Sequence, residues 1–137
     1  MACINVNGKD SFEFINYCFT RNIDTLKKGH CVYGAFLNTK GHCIDDAIVY
    51  KFSDYFFMIC VNAGMGAAIT RHLEINKANL DVSIEDLSEK TGKMDIQGKN
   101  SARILFSILQ NPEAIFNQMP YFSFKGNFDE SILGESL

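Results

Sequence analysis

Asn38-Thr39-Lys40-Gly41-His42-Cys43-Ile44-Asp45-Asp46-Ala47-Ile48-Val49-Tyr50-Lys51-Phe52-Ser53-Asp54-Tyr55 holds a long β-branched and aromatic run between two short polar turns. Neither turn has room for a crossover helix. The apolar runs at 31–37, 42–52 and 55–61 are therefore predicted to pair as an antiparallel meander.

Outward from that meander, the stretch from Ala2 to Asn7 alternates as a strand. Asp10 with Glu13 three residues on predicts an N-cap and capping box, and Phe12, Ile15 and Phe19 supply that helix with an apolar face. A polar loop over 21–28 leads into the meander. A second helix is predicted over 65–76, with Ile69, Leu73 and Ile75 as its apolar positions. Two short strands (82–87 and 93–97), a helix over 101–110 and a strand over 121–128 complete an α+β fold of antiparallel sheets with packed helices.

The opening of the chain recurs. Val6-Asn7-Gly8-Lys9-Asp10-Ser11 and Ile96-Gln97-Gly98-Lys99-Asn100-Ser101 share strand, Gly-Lys turn, polar cap and helix. Two readings fit: two independent strand-to-helix turns, with Gly supplying positive φ and Asp or Asn the cap, or an internal duplication that builds two similar halves. Neither copy has the Gly-x-x-x-x-Gly-Lys-Ser/Thr pattern of a phosphate loop. Gly64-Met65-Gly66-Ala67-Ala68-Ile69 has Ile69 where a dinucleotide fingerprint needs a third small residue, and the tight hairpins before it exclude a parallel βαβ unit. Those glycines read instead as a flexible start to the second helix.

The chain has 137 residues, 47% hydrophobic, with a formal net charge of −3, which fits one domain over residues 1–137 with an ordinary core. No basic stripe is present to meet nucleic-acid phosphates, and no apolar run approaches the ~18 residues of a membrane span. The first residues lack the look of a secretion signal, so a soluble, cytoplasmic protein is expected. Cys3, Cys18, Cys31, Cys43 and Cys60 are scattered and read as small hydrophobes. His30-Cys31 and His42-Cys43 sit at opposite ends of the predicted hairpin, on the order of 23 Å apart, so no metal is expected there.

Strand alternation separates the paired aspartates. Asp46 shares a face with Ile44, Ile48, Tyr50 and Phe52, and Asp45 shares the other with Cys43, Ala47, Val49 and Lys51. The larger, more aromatic face is the expected sheltered one, and a carboxylate there needs a partner or a ligand. Asp45 needs no functional account on this reading. A two-residue Thr39-Lys40 loop puts Tyr33 opposite Asp46, and a bulge at Gly41 puts it opposite Ala47; the Ser53-Asp54 turn brings Val61 or Asn62 level with Asp46. Tyr33, Asp46, Tyr50 and Asn62 thus form either a structural Tyr–Asp cluster or the wall of a pocket for a flat, nitrogen-rich ligand.

These residues also carry a resemblance. The Gly41-His42-Cys43-Ile44-Asp45-Asp46-Ala47-Ile48-Val49-Tyr50 strand with its hairpin resembles the Gly-Gly-x-x-Asp-Asp-x-x-Val-Tyr strand of the aminomethyltransferases, the T-proteins of the glycine cleavage system. The run from Gly8 to Ile15, Val61-Asn62-Ala63, Gln97-Gly98 and the run from Pro120 to Phe124 match further segments in the same order. The resemblance implies a folate-binding domain of two similar halves. It also implies transfer of a one-carbon unit from an aminomethyl-lipoyl carrier, the H-protein, to tetrahydrofolate with release of ammonia. Asp46 then corresponds to the family's key carboxylate, the catalytic position, and Tyr33, Tyr50 and Asn62 to positions near the folate. Departures are Arg21-Asn22 in place of Asn-Asp, His42 in place of Gly, and Lys9 and Lys99 where proline is common. The family's later Arg-Thr-Gly-Tyr-Thr-Gly-Glu stretch does not occur. The chain thus reads as a fragment of an aminomethyltransferase with weak or no turnover alone. A related folate-dependent demethylase and a non-catalytic folate-binding or structural domain are the alternatives.

Overall fold

The computed structural model describes residues 1–126. The chain divides into two compact units, 1–93 and 94 onward. The first contains β1 (Ala2–Asn7), α1 (Ser11–Cys18), β2 (His30–Leu37), β3 (Cys43–Ser53), β4 (Phe56–Val61), α2 (Gly66–Asn76) and β5 (Ser83–Asp86). The strands form one sheet in the order β2-β3-β4-β1-β5, every neighbouring pair antiparallel. The meander is as expected from its short turns.

Both helices of this unit pack on one face of the sheet. Phe14 and Ile15 of α1 and Ile69 and Leu73 of α2 are buried with Ile4, Val6, Ala47, Val49, Phe57, Ile59 and Val61. This corrects the parity argument. The face that the helices cover carries Ala47, Val49 and Lys51, all buried, whereas Ile44, Asp46, Ile48, Tyr50 and Phe52 stay partly exposed. Small and β-branched side chains let the helices approach the sheet, so side-chain size was the wrong guide to shelter. Lys51 is accommodated by burying its stem, with its Nζ 2.8 Å from Asp54 and 4.6 Å from the centre of the Phe12 ring.

Local expectations also shift. Asp10 occupies the N-cap position of α1, but its carboxylate does not cap the helix. It accepts the backbone N–H of Asp81 at 2.8 Å instead, so the capping box with Glu13 is not formed and the β1–α1 turn is tied to the approach to β5. Ile75 is 71% exposed, because only Ile69 and Leu73 fall on the stripe of α2 that meets the sheet. Gly66 is a packing residue rather than a source of flexibility: a Cβ there would meet Ser88 Oγ at 2.5 Å and Asp86 Oδ2 at 2.9 Å.

The second unit holds α3 (Ser101–Ile108) and α4 (Pro112–Phe116). The strand expected over 93–97 does not form. Residues 121–122 form a turn, with Phe122 at φ +54°, Ser123 makes a single bridge and no strand forms over 121–126; the rest of the expected 121–128 strand lies outside the described residues. The helix α4 was not foreseen, although Pro112 at its first turn is a start signal.

The repeat is more than a shared tetrapeptide. Gly8 and Gly98 have φ of +140° and +113°, and their carbonyls accept from Ser11 and Ser101 N–H at 3.2 and 3.0 Å. Asp10 and Asn100 have φ/ψ of −99°/9° and −104°/0°; α1 and α3 are each 8 residues long. Both end on an extended residue, Phe19 or Leu109, whose N–H bonds back to Ile15 or Leu105. Agreement from turn through helix to exit supports duplication over two unrelated turns.

Candidate functional site

The site lies at one end of the meander, on the sheet face that the helices leave open. Asn38 organises the β2–β3 turn: its Oδ1 accepts Lys40 N–H at 2.9 Å and His42 N–H at 3.0 Å. That turn, with a register shift between Phe36 and Leu37, sets Ala35 opposite Asp46 and Tyr33 opposite Ile48. Neither register expected from the loop length is found. The displacement from the Tyr33–Asp46 register is an even number of residues, so Tyr33 stays on the face of Asp46 and reaches it diagonally. The Tyr33 hydroxyl donates to Asp46 Oδ2 at 2.9 Å.

The second support comes from just beyond β4. Ala47 pairs with Val61, which brings Asn62 level with Asp46. Asn62 Nδ2 donates to Asp46 Oδ1 at 2.8 Å and to Asp45 Oδ1 at 2.8 Å, while Asn62 N–H donates to Asp45 Oδ2 at 2.9 Å. Asp45 therefore grips Asn62 through both its backbone and its side chain. Its grip turns the amide nitrogen toward Asp46 and leaves Asn62 Oδ1 as an acceptor. Sequence reasoning set Asp45 aside because alternation sends it to the other face. It reaches Asn62 all the same, because Asn62 lies past the strand end, where the turn closed by Met65 N–H on Asn62 O begins.

Tyr33, Asp46 and Asn62 are thus joined in one hydrogen-bonded group. Tyr50 is on the same face, the second side chain beyond Asp46, opposite Cys31 and Met58. There it packs against the small cluster of Cys3, Cys60 and Leu87. Asp46 and Tyr33 are open to solvent, Tyr33 being 51% exposed.

The electrostatics follow from these bonds. The Tyr33 hydroxyl first, then the Asn62 amide, hold the Asp46 carboxyl below its ordinary pKa, with partial desolvation opposing them. The same bond to Asp46 raises the Tyr33 phenol. A depressed carboxyl keeps its ionised, hydrogen-bonded form above the usual carboxylate range and loses it as pH falls through the lowered value. Tyr33→Phe is accordingly expected to raise the Asp46 pKa, and Asn62→Ala to raise it by less, as read by carboxyl-carbon NMR titration. A larger rise in Asn62→Ala would reverse the ranking of the two donors.

Chemically, the group offers acceptors outward: an anionic carboxylate and the Asn62 carbonyl oxygen. It suits a ligand that brings N–H donors or a nitrogen on which positive charge develops. Among the described residues, no group of three or more His, Cys, Asp or Glu side chains could hold a metal ion, and no helix is long and apolar enough to cross a membrane.

A family model described as the GCVT N-terminal domain matches residues 1–129. The chain belongs to that family. Among relatives of the GCVT family, the aminomethyltransferase of Thermoanaerobacter sp. (strain X514) is 30% identical over 93% of this chain and 34% of its own length. That of Staphylococcus epidermidis (strain ATCC 35984) is 28% identical over 100% of this chain and 36% of its own. The crystal structure of glycine cleavage system aminomethyltransferase T from Bartonella henselae superposes with a TM-score of 0.68 at 25% identity, over 77% of this chain and 29% of that one. This GCVT-family chain therefore spans about a third of the length of the curated relatives it matches. The mixed α/β fold with its antiparallel five-stranded sheet is that of an aminomethyltransferase domain.

Proposed function

We propose that residues 1–137 form a folate-binding domain of a tetrahydrofolate-dependent aminomethyltransferase. The reaction is transfer of a one-carbon unit from an aminomethyl-lipoyl carrier, the H-protein, to tetrahydrofolate with release of ammonia. The observation that carries the reading is the Asp46 carboxylate, held ionised on the open sheet face by Tyr33 and by an Asn62 that Asp45 orients. Family membership supplies the reaction class.

Tetrahydrofolate supplies amine nitrogens that accept the carbon, and its N–H groups match the acceptors that the site presents. Asp46 orients such an amine by accepting its hydrogen bond and places fixed negative charge where positive charge grows as the carbon is transferred. Asn62 Oδ1 accepts a second N–H from the ligand, and the exposed Tyr33 ring and the half-buried Tyr50 ring offer flat apolar walls on the same face.

Calorimetric titration of the chain with tetrahydrofolate, under reducing and oxygen-free conditions, tests this. Saturable binding at one site is expected. A titration with no saturable heat up to millimolar ligand would sink the folate assignment and leave a structural or interaction domain.

A further inference from the structure

Cys3 of β1 and Cys60 of β4 are direct register partners, with sulfurs 3.3 Å apart. The Cys3 carbonyl accepts the Leu87 N–H at 2.8 Å, so the Cys3 peptide groups point toward β5 and away from β4. In an antiparallel ladder both peptide groups of a residue face the same neighbour. Cys3–Cys60 is therefore a non-hydrogen-bonded, narrow pair across β1 and β4, for which Cα atoms lie about 4.5 Å apart. That separation falls in the range a disulfide spans, roughly 4.4–6.8 Å. Both side chains lie on the sheet face without helices. They are 6% and 3% exposed, beside the half-buried Tyr50 and Met58.

We propose that Cys3 and Cys60 are an oxidation site that closes a reversible disulfide between β1 and β4. The oxidant is a small hydroperoxide. The Cys3 thiolate attacks its O–O bond and becomes a sulfenic acid, and the alkoxide that leaves takes a proton from water. Cys60 sulfur then attacks the sulfenic sulfur; the S–S bond forms, the S–O bond breaks, and hydroxide leaves with the Cys60 proton as water. Two thiols lose two electrons in all, and one hydroperoxide is reduced to an alcohol and water. The order of attack follows the hydrogen bond between the sulfurs, which lowers the Cys3 pKa to about 6 and, with burial, pushes the Cys60 thiol up. The bond would fasten to β1 the strand that leads directly into Asn62, linking the redox state of the pair to the candidate site. The proposal does not depend on the folate assignment.

A variant with Cys18, Cys31 and Cys43 all changed to Ser carries only this pair. One equivalent of hydrogen peroxide, followed by alkylation and mass spectrometry, should show both thiols protected. The intact mass should fall by about 2 Da, with one Cys3–Cys60 linked peptide that dithiothreitol reverses. The melting temperature should rise by on the order of 10 °C, since the bond closes a long loop. Adding Cys60→Ser should abolish the linked peptide. Thiols that stay alkylatable, or that proceed to sulfinic acid without cross-linking, overturn the proposal. If the triple variant does not fold, linked-peptide mapping of the oxidised wild type decides instead: Cys3–Cys60 supports the proposal, and any other pairing, or none, overturns it.

Discussion

Asp46→Ala is expected to weaken tetrahydrofolate binding by on the order of 10- to 100-fold, the worth of a hydrogen bond to a charged group. The substitution removes the carboxylate proposed to meet the ligand amine and also strips the Tyr33 hydroxyl and one Asn62 N–H of their acceptor. Asp46→Asn should lose nearly as much, because its own amide nitrogen must face one of those two donors, setting donor against donor. Asp45→Ala should weaken binding by less, since Asp45 acts only by orienting Asn62. Asp46 sits on an open face, so its replacement should leave the urea unfolding midpoint nearly unchanged. Calorimetry and urea unfolding on the same samples separate the two effects. Affinity within twofold of wild type in Asp46→Ala would remove Asp46 from the site while leaving folate binding itself standing.

The largest stability effect is expected at Gly8. A Cβ added there would lie 2.1 Å from the carbonyl oxygen of Asp81 and 2.9 Å from the Val82 Cα, both backbone atoms, at a φ of +140°. No side-chain rotation relieves such a contact. The turn cannot withdraw either, because Gly8 N–H bonds Tyr55 O at 3.0 Å and Asp10 grips Asp81 N–H at 2.8 Å. Gly8→Ala should therefore cost about 4 kcal/mol or more, a large part of the ~5–15 kcal/mol that holds an ordinary domain together. Gly98, its counterpart in the repeat, has φ +113° but nothing within 4 Å of an added Cβ, so Gly98→Ala carries only the backbone penalty, about 1–2 kcal/mol. Urea unfolding followed by far-UV circular dichroism measures both. Equal costs at the two glycines would mean that the chain around Asp81 gives way.

Much of this fold is legible in the amino-acid sequence. The strands of the meander, both long helices of the first unit and the Gly-Lys repeat fall where short-range pattern places them. Alternation and turn length place Tyr33, Asp46 and Asn62 near one another, and the structure joins them by hydrogen bonds. Asp45 was missed because its partner lies past the end of β4, where strand alternation no longer governs direction. The Asp10 cap was misassigned because a carboxylate from one turn was claimed by the backbone of another, far along the chain. Cys3 and Cys60 gave no motif, since their pairing depends on a strand order in which β1 sits between β4 and β5.

The sequence by itself determined which residues share a face, since alternation of side chains along a strand is built into the covalent geometry of the chain. Tyr33 and Asp46 stay together despite the error in register only because the displacement is two residues, an even number. Which face the helices would cover was decided only by the tertiary structure. Docking depends on how Phe14, Ile15, Ile69 and Leu73 interlock with small and branched side chains from four strands at once. That packing buried Ala47 and Val49 and left Asp46, with its aromatic neighbours, on the opposite, partly exposed face.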